Sequence, residues 1–262
     1  MPYEHLRRTD EGPVVTVTLA RPDSHNALNA DLIEQLTRCF EELAEDQETR
    51  VVVLAGDGRS FCAGADIGYM REAAGLSYEE NLEDARRLAM MFWIIDECPK
   101  PVVAKVQGAA MGGGAGLLGV ADVVVAGSEA RFAFSEIKLG IAPATISPFV
   151  VRKIGVSHAR ALFLTGERLD AERAREIGLV HSVVSGDGLD EAVEERVKEL
   201  LQGGPVAQAT LKGLLRRLET TEPMEAPGLT SRVISELRTG EEGQEGLAAF
   251  LEKREPRWRM ER

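Results

Sequence analysis

Few residues in this chain could do chemistry, and their types narrow what that chemistry is. Glu136 follows the alternating segment Arg131-Phe132-Ala133-Phe134. If that strand continues, Phe132, Phe134 and Glu136 share one face, which sets a carboxyl group among aromatic rings. Lost hydration there disfavours the charged form, raises the pKa and lets the group accept and return a proton near neutral pH. The alternative, commoner for an isolated glutamate, places Glu136 just past the strand and in solvent. Two small-residue loops could supply the complementary electrophilic groups. Gly112-Gly113-Gly114 opens a predicted short helix, Gly114–Val120, and helix amino termini present free N–H groups to anions that glycine allows to approach closely. Phe61-Cys62-Ala63-Gly64-Ala65-Asp66 lies at the carboxyl end of a predicted buried strand, where open α/β sheets bind ligands. One N–H from each loop aimed at the same oxygen would form an oxyanion hole for an enolate or alkoxide. Without a ligand, the glycines would serve only close helix packing.

The remaining candidates carry less. Cys62 has no histidine partner in sequence and reads as a small buried residue. Asp66 could be catalytic or could cap the helix that follows. His5, His25, His158 and His181 show neither metal-ligand nor triad spacing, so no metal site is expected. Gly114-Ala115-Gly116-Leu117-Leu118-Gly119 matches the G-x-G-x-x-G pattern of dinucleotide binding. However, the next predicted strand, Asp122–Ala126, begins too soon for the full crossover helix that fold requires.

The elements that must position these groups alternate. Strands are predicted over Val14–Leu19, Val51–Ala55, Val102–Val106 and Asp122–Ala126, and amphipathic helices over Ala30–Glu45 and Tyr78–Glu97, the latter stopped by Pro99. From Ile141 onward the pattern turns mostly helical, with segments at Pro148–Ile154, Ser157–Thr165, Ala171–Ile177, Leu189–Leu201, Pro205–Glu219, Gly228–Arg238 and Gly243–Lys253. This is an α/β domain with a helical tail.

Composition closes off other classes. The 262 residues are 44% hydrophobic and 28% charged, an ordinary globular balance. A net charge of −12 argues against nucleic acid as the main partner, since phosphate binding needs a surplus of Lys and Arg on one face. Three scattered cysteines, Cys39, Cys62 and Cys98, suit a reducing compartment. The charged stretch Met1–Gly12 has no signal-peptide core, and the uncharged stretch Gly108–Ala121 is glycine-rich and short of the ~20 residues a membrane span needs. A cytoplasmic protein without a membrane segment is expected.

Taken in order, Arg21-Pro22 with Asn26-Ala27-Leu28, the Phe61–Asp66 loop, Gly108–Gly114, Phe134-Ser135-Glu136-Ile137-Lys138-Leu139-Gly140, Leu164-Thr165-Gly166, Ala174–Val180 and Glu245–Arg254 resemble the enoyl-CoA hydratase/isomerase (crotonase) superfamily. The resemblance implies a spiral of ββα units over residues 1–200, a helical trimerisation region over 201–262, and a homotrimer or dimer of trimers. It implies an acyl-CoA thioester as substrate, with coenzyme A as part of that substrate and no separate cofactor. The thioester oxygen would be held by the N–H groups of Ala65 and Gly113, and Glu136 would carry the proton. For the CoA moiety and acyl group it points to Asn26, Ala27, Leu28, Ala63, Asp66 and Ile67, with Phe250 and Lys253 reaching a neighbouring subunit's ligand. A lysine common after this loop is Gly68 here, with Arg71 a candidate substitute.

Hydratases of the superfamily usually carry two glutamates. The second matches Glu136, while the position of the first is Gly116. Water would then need another orienting group, such as a carboxylate on the substrate itself, the backbone, or a polar side chain near Thr145 or Ser147. The preferred reading is a 2-enoyl-CoA hydratase, because the run Glu136–Pro148 looks like that of bacterial methylglutaconyl-CoA and isohexenylglutaconyl-CoA hydratases. This makes 3-methylglutaconyl-CoA the candidate substrate. The alternatives are a Δ3,Δ2-enoyl-CoA isomerase working with one glutamate, a non-catalytic acyl-CoA- or RNA-binding relative, and a hydrolase or dehalogenase, for which no nucleophile stands out.

Overall fold

The computed structural model describes residues 3–260. Met1 and Pro2 of the charged amino-terminal stretch, and residues 261 and 262 of the tail, lie outside the described residues. In chain order the elements are β1 (Leu6–Glu11), β2 (Val14–Leu19), α1 (Ala30–Glu45), β3 (Val51–Gly56), α2 (Ile67–Ala73), α3 (Tyr78–Glu97), β4 (Val102–Val106), β5 (Ala109–Met111), α4 (Gly113–Val120), β6 (Val123–Gly127) and β7 (Arg131–Ala133). They continue with α5 (Ser147–Thr165), β8 (Arg168–Asp170), α6 (Ala171–Glu176), β9 (Ser182–Val184), α7 (Leu189–Leu201), α8 (Pro205–Leu218), α9 (Ala226–Thr239), α10 (Glu241–Glu252) and α11 (Arg257–Met260).

The larger sheet has the order β1-β2-β3-β4-β6-β9, parallel except for the β1–β2 hairpin. Its centre is the apolar run Val51–Ala55. Val52 and Leu54 face the main core, and Val51 and Val53 face Val193 and Val197 of α7. Apolar residues on both faces are what a parallel strand covered by helices requires. A smaller sheet, β5-β7-β8, stands beside it, and Cys62 joins its edge through a bridge to Ala110. The chain therefore repeats one path. A strand enters the large sheet, a short extended piece crosses to the small one, and a helix returns: β3, Cys62, α2 and α3; then β4, β5 and α4; then β6, β7 and α5. This is the α/β spiral of ββα units that the resemblance implied.

The helices fall where periodicity placed them, and α3 opens on a capping box between Ser77 and Glu80. The two helices predicted at Pro148–Ile154 and Ser157–Thr165 are one element broken at Gly155, whose φ of 76° is non-helical. Four short strands, β1, β5, β8 and β9, carry too little apolar alternation to read from sequence. β1 is an exposed edge strand of charged residues whose pairing with β2 defines it. After α7 the chain is helical, and α8 docks by ion pairs from Lys212 to Asp122 and from Arg216 to Glu97. No described helix is long and apolar enough to cross a membrane.

Candidate active site

The spiral brings the two glycine-rich loops against each other. Cys62 and Ala110 pair as neighbouring strands, and a β-carbon on Gly114 would overlap the Cys62 carbonyl oxygen. Only glycine at 114 permits this approach. On the first loop, Leu28 N–H donates to Gly64 O and Asp66 N–H donates to Leu28 O. In that parallel pattern the N–H of the intervening Ala65 points to the opposite side, toward the cavity that Ala65 lines. On the second loop, Gly112 takes φ 49°, ψ −120°, a conformation glycine adopts without strain, and α4 begins at Gly113. The Gly113 N–H is therefore in the first turn, without an intrahelical acceptor and at the positive end of the helix dipole. Lys153 steadies the other end of α4, its Nζ donating to Leu118 O at 2.7 Å and Ala121 O at 2.6 Å.

Ala65 and Gly113 line one cavity of about 800 Å3, and Glu136 lines the same cavity. The expected strand does not reach Glu136. β7 ends at Ala133, and Glu136 opens a 3₁₀ turn, Glu136–Leu139. The carboxyl group is thus not aligned with Phe132 and Phe134 on a strand face. The turn instead aims it across the cavity at Gly112, where a β-carbon would lie 3.0 Å from Oε1. Burial raises its pKa above the ordinary carboxylate range, and among the described residues Oε2 is buried without a hydrogen-bond partner. The carboxyl group that reads as solvated in isolation is half-buried and poised to exchange a proton.

The place of the second acid holds hydrocarbon. A β-carbon on Gly116 would overlap Ile146 Cγ2, lie 2.9 Å from Ile146 Cβ and come 3.2 Å from the Phe92 ring. A glutamate there would have to displace a buried β-branched side chain. Of the two polar candidates nearby, Ser147 donates its hydroxyl to Ala144 O, while Thr145 lines the cavity.

The other expected residues divide by position. Ala27, Leu28, Ala63, Asp66 and Ile67 line the cavity. Asn26 is wholly buried behind it. Its side chain accepts from Arg21 N–H and donates to Asp57 O and Ser60 O, so it shapes the loop without facing a ligand. Asp66 is a cap, accepting from Gly68 and Tyr69 N–H and pairing with Arg21 at 3.0 Å. Burial works against its ionisation, but the Arg21 contact and these N–H groups outweigh that and hold its pKa below the usual range. Cys62 is fully buried, and burial pushes its thiol up to about 12, too high for a nucleophile. Phe250 and Lys253, exposed on α10 and at its end, do not line this chain's own cavity, and neither does Arg71, exposed on α2 beside the lining residue Met70. Reading the sequence did not find Ile146 as a cavity wall. Only the fold sets it against Gly116.

Fold and site together suit an acyl-thioester enzyme class: N–H groups on two converging loops, a half-buried carboxyl group, and a largely apolar cavity. A sequence model of the Enoyl-CoA hydratase/isomerase family matches residues 9–261, and the chain belongs to that family. The chain is 36% identical over 260 residues to the enoyl-CoA hydratase AKT6-1 of Alternaria alternata, covering 98% of this chain and 84% of that protein. It is similar to the crystal structure of an enoyl-CoA hydratase from Shewanella pealeana, with TM-score 0.94, 39% identity, and 98% and 96% of the two chains covered. It is equally similar in fold to Pseudomonas aeruginosa AtuE, with TM-score 0.94, 37% identity, and 98% and 100% covered.

Proposed function

We propose that this protein hydrates the double bond of a 2-enoyl-CoA thioester with one carboxyl group, Glu136, as the proton carrier. The observation that carries the reading is the half-buried Glu136 carboxyl group, its Oε2 without a hydrogen-bond partner among the described residues, in the same cavity as Ala65 and Gly113. These donors stabilise charge on the thioester oxygen as the enolate forms. Water's oxygen bonds to the β-carbon, one of its protons passes to Glu136, and Glu136 delivers a proton to the α-carbon. Thr145, which lines the same cavity, would orient the water.

The apolar filling of the first-acid position favours a second reading, Δ3,Δ2-isomerisation, in which Glu136 removes a proton from C2 and returns it to C4 of a dienolate. Absorbance in the enoyl-thioester band separates the two. Loss of conjugation with crotonyl-CoA or 3-methylglutaconyl-CoA is expected, and gain of conjugation with a 3-enoyl-CoA alone would make the isomerase the activity. Among the described residues no Lys or Arg lines the cavity, so an uncharged acyl group such as crotonyl is expected to outperform 3-methylglutaconyl.

The exposed apolar side chains Leu139, Leu164, Phe250 and Leu251, 64–81% accessible, support a homotrimer or dimer of trimers whose contacts cover them and bring Phe250 and Lys253 to a neighbour's CoA. Light scattering is expected to give three or six times the mass of one chain; a monomer would overturn the assembly. The cysteines, each buried and free, accord with a cytoplasmic location.

A further inference from the structure

Tyr69 lines the cavity and also lines a second groove of about 360 Å3 between α1 and α3. The two spaces use adjacent rows of α3. Ala85 and Leu88 face the first, while Asp84, Arg87 and Met90 face the second. The far wall of the groove is the Ile33–Thr37 turn of α1. Tyr69 lies between them, held by a hydrogen bond from its hydroxyl to Asp84, which also pairs with Arg87 at 3.0 Å. The element that carries Tyr69 is seven residues long and contributes no fully buried side chain, and Tyr69 itself packs only partly buried against the core. Met70, Leu88 and Tyr69 are the side chains of α2 and α3 that line the cavity shared with Ala65 and Gly113, and they offer an acyl group apolar surface.

We infer that Tyr69 sets the acyl-chain length this enzyme accepts: latched to Asp84 it ends the acyl pocket, and released it opens the groove between α1 and α3 to the far end of a longer chain. The inference rests on the acyl-thioester reading above. Its occupant is the distal hydrocarbon of the same ligand, argued from the shared wall and the apolar Ile33 and Met90 beyond it.

Binding of saturated butyryl-CoA and decanoyl-CoA, measured by calorimetry, tests this without requiring turnover. The wild type is expected to bind decanoyl-CoA no more tightly than butyryl-CoA, because the extra methylenes meet the latched ring at the end of the pocket. Tyr69→Ala is expected to raise the preference for decanoyl-CoA at least about tenfold, the scale set by even one methylene in an apolar pocket. Tyr69→Phe keeps the ring but loses the latch and should raise it by a smaller factor, and it keeps the test decisive if the alanine variant folds poorly. A decanoyl-to-butyryl ratio unchanged in both variants overturns the assignment, as does a wild type that already favours decanoyl-CoA tenfold. Failure of the wild type to bind butyryl-CoA at all is a separate result and overturns the acyl-thioester reading beneath it.

Discussion

Glu136→Gln is expected to lower turnover by 10²–10⁴-fold, on the order of what a positioned general acid–base contributes, while acyl-CoA affinity stays within a few-fold. Glutamine matches glutamate in size and still fits beside Gly112, but it cannot take a proton from water or carbon. Steady-state kinetics with binding of a saturated acyl-CoA checks both halves, and near-wild-type rates would remove Glu136 from the chemistry. The same substitution should stabilise the fold at neutral pH. The folded-state pKa of Glu136 lies above its unfolded value because of burial. Its contribution is therefore favourable below the ordinary carboxylate pKa and lost as pH rises through the shifted one. As pH rises from 4.5, the ordinary glutamate value, through the shifted pKa, ionising this partly desolvated group costs stability that glutamine does not, and the difference in Tm should close as pH falls back toward 4.5. Loss of activity with gain of stability is the signature of a functional group held against its own solvation. An acidic limb in the wild-type rate profile above the ordinary carboxylate range should vanish with it.

Gly113→Val is expected to weaken acyl-thioester binding and turnover together by at least about 10²-fold, the scale of one lost oxyanion donor. The first β-carbon would come 2.9 Å from Leu28 Cδ1 and 3.9 Å from the tip of the Phe92 ring, and the branched methyls would project over the N–H. Gly113→Ala asks only that the end of the Leu28 side chain shift, so a smaller loss in the same direction is expected. Thermal melts of both variants separate blocked binding from a displaced α4. Unchanged KM and kcat in a folded valine variant would mean that the thioester oxygen sits elsewhere.

The division between sequence and tertiary structure follows from the range of the forces involved. Periodicity set out α1 and α3 as amphipathic helices, and the continuous apolar run Val51–Ala55 marked a strand covered on both sides, because these patterns record which side of an element meets water. The residue types also singled out both glycine-rich loops and Glu136, and the order of motifs along the chain pointed to the crotonase superfamily. What the chain alone could not give was anything depending on contacts between distant residues. The charged β1 becomes a strand only by pairing with β2, and Asp66, which caps α2 locally, also pairs with Arg21, 45 residues away. Glu136 turns toward Gly112 because β7 ends three residues earlier, so a 3₁₀ turn does what a continued strand would not. Gly116 reads locally as a missing acid. Only the folded chain shows Ile146 filling its space, because close packing is decided by neighbours that sequence leaves 30 positions apart.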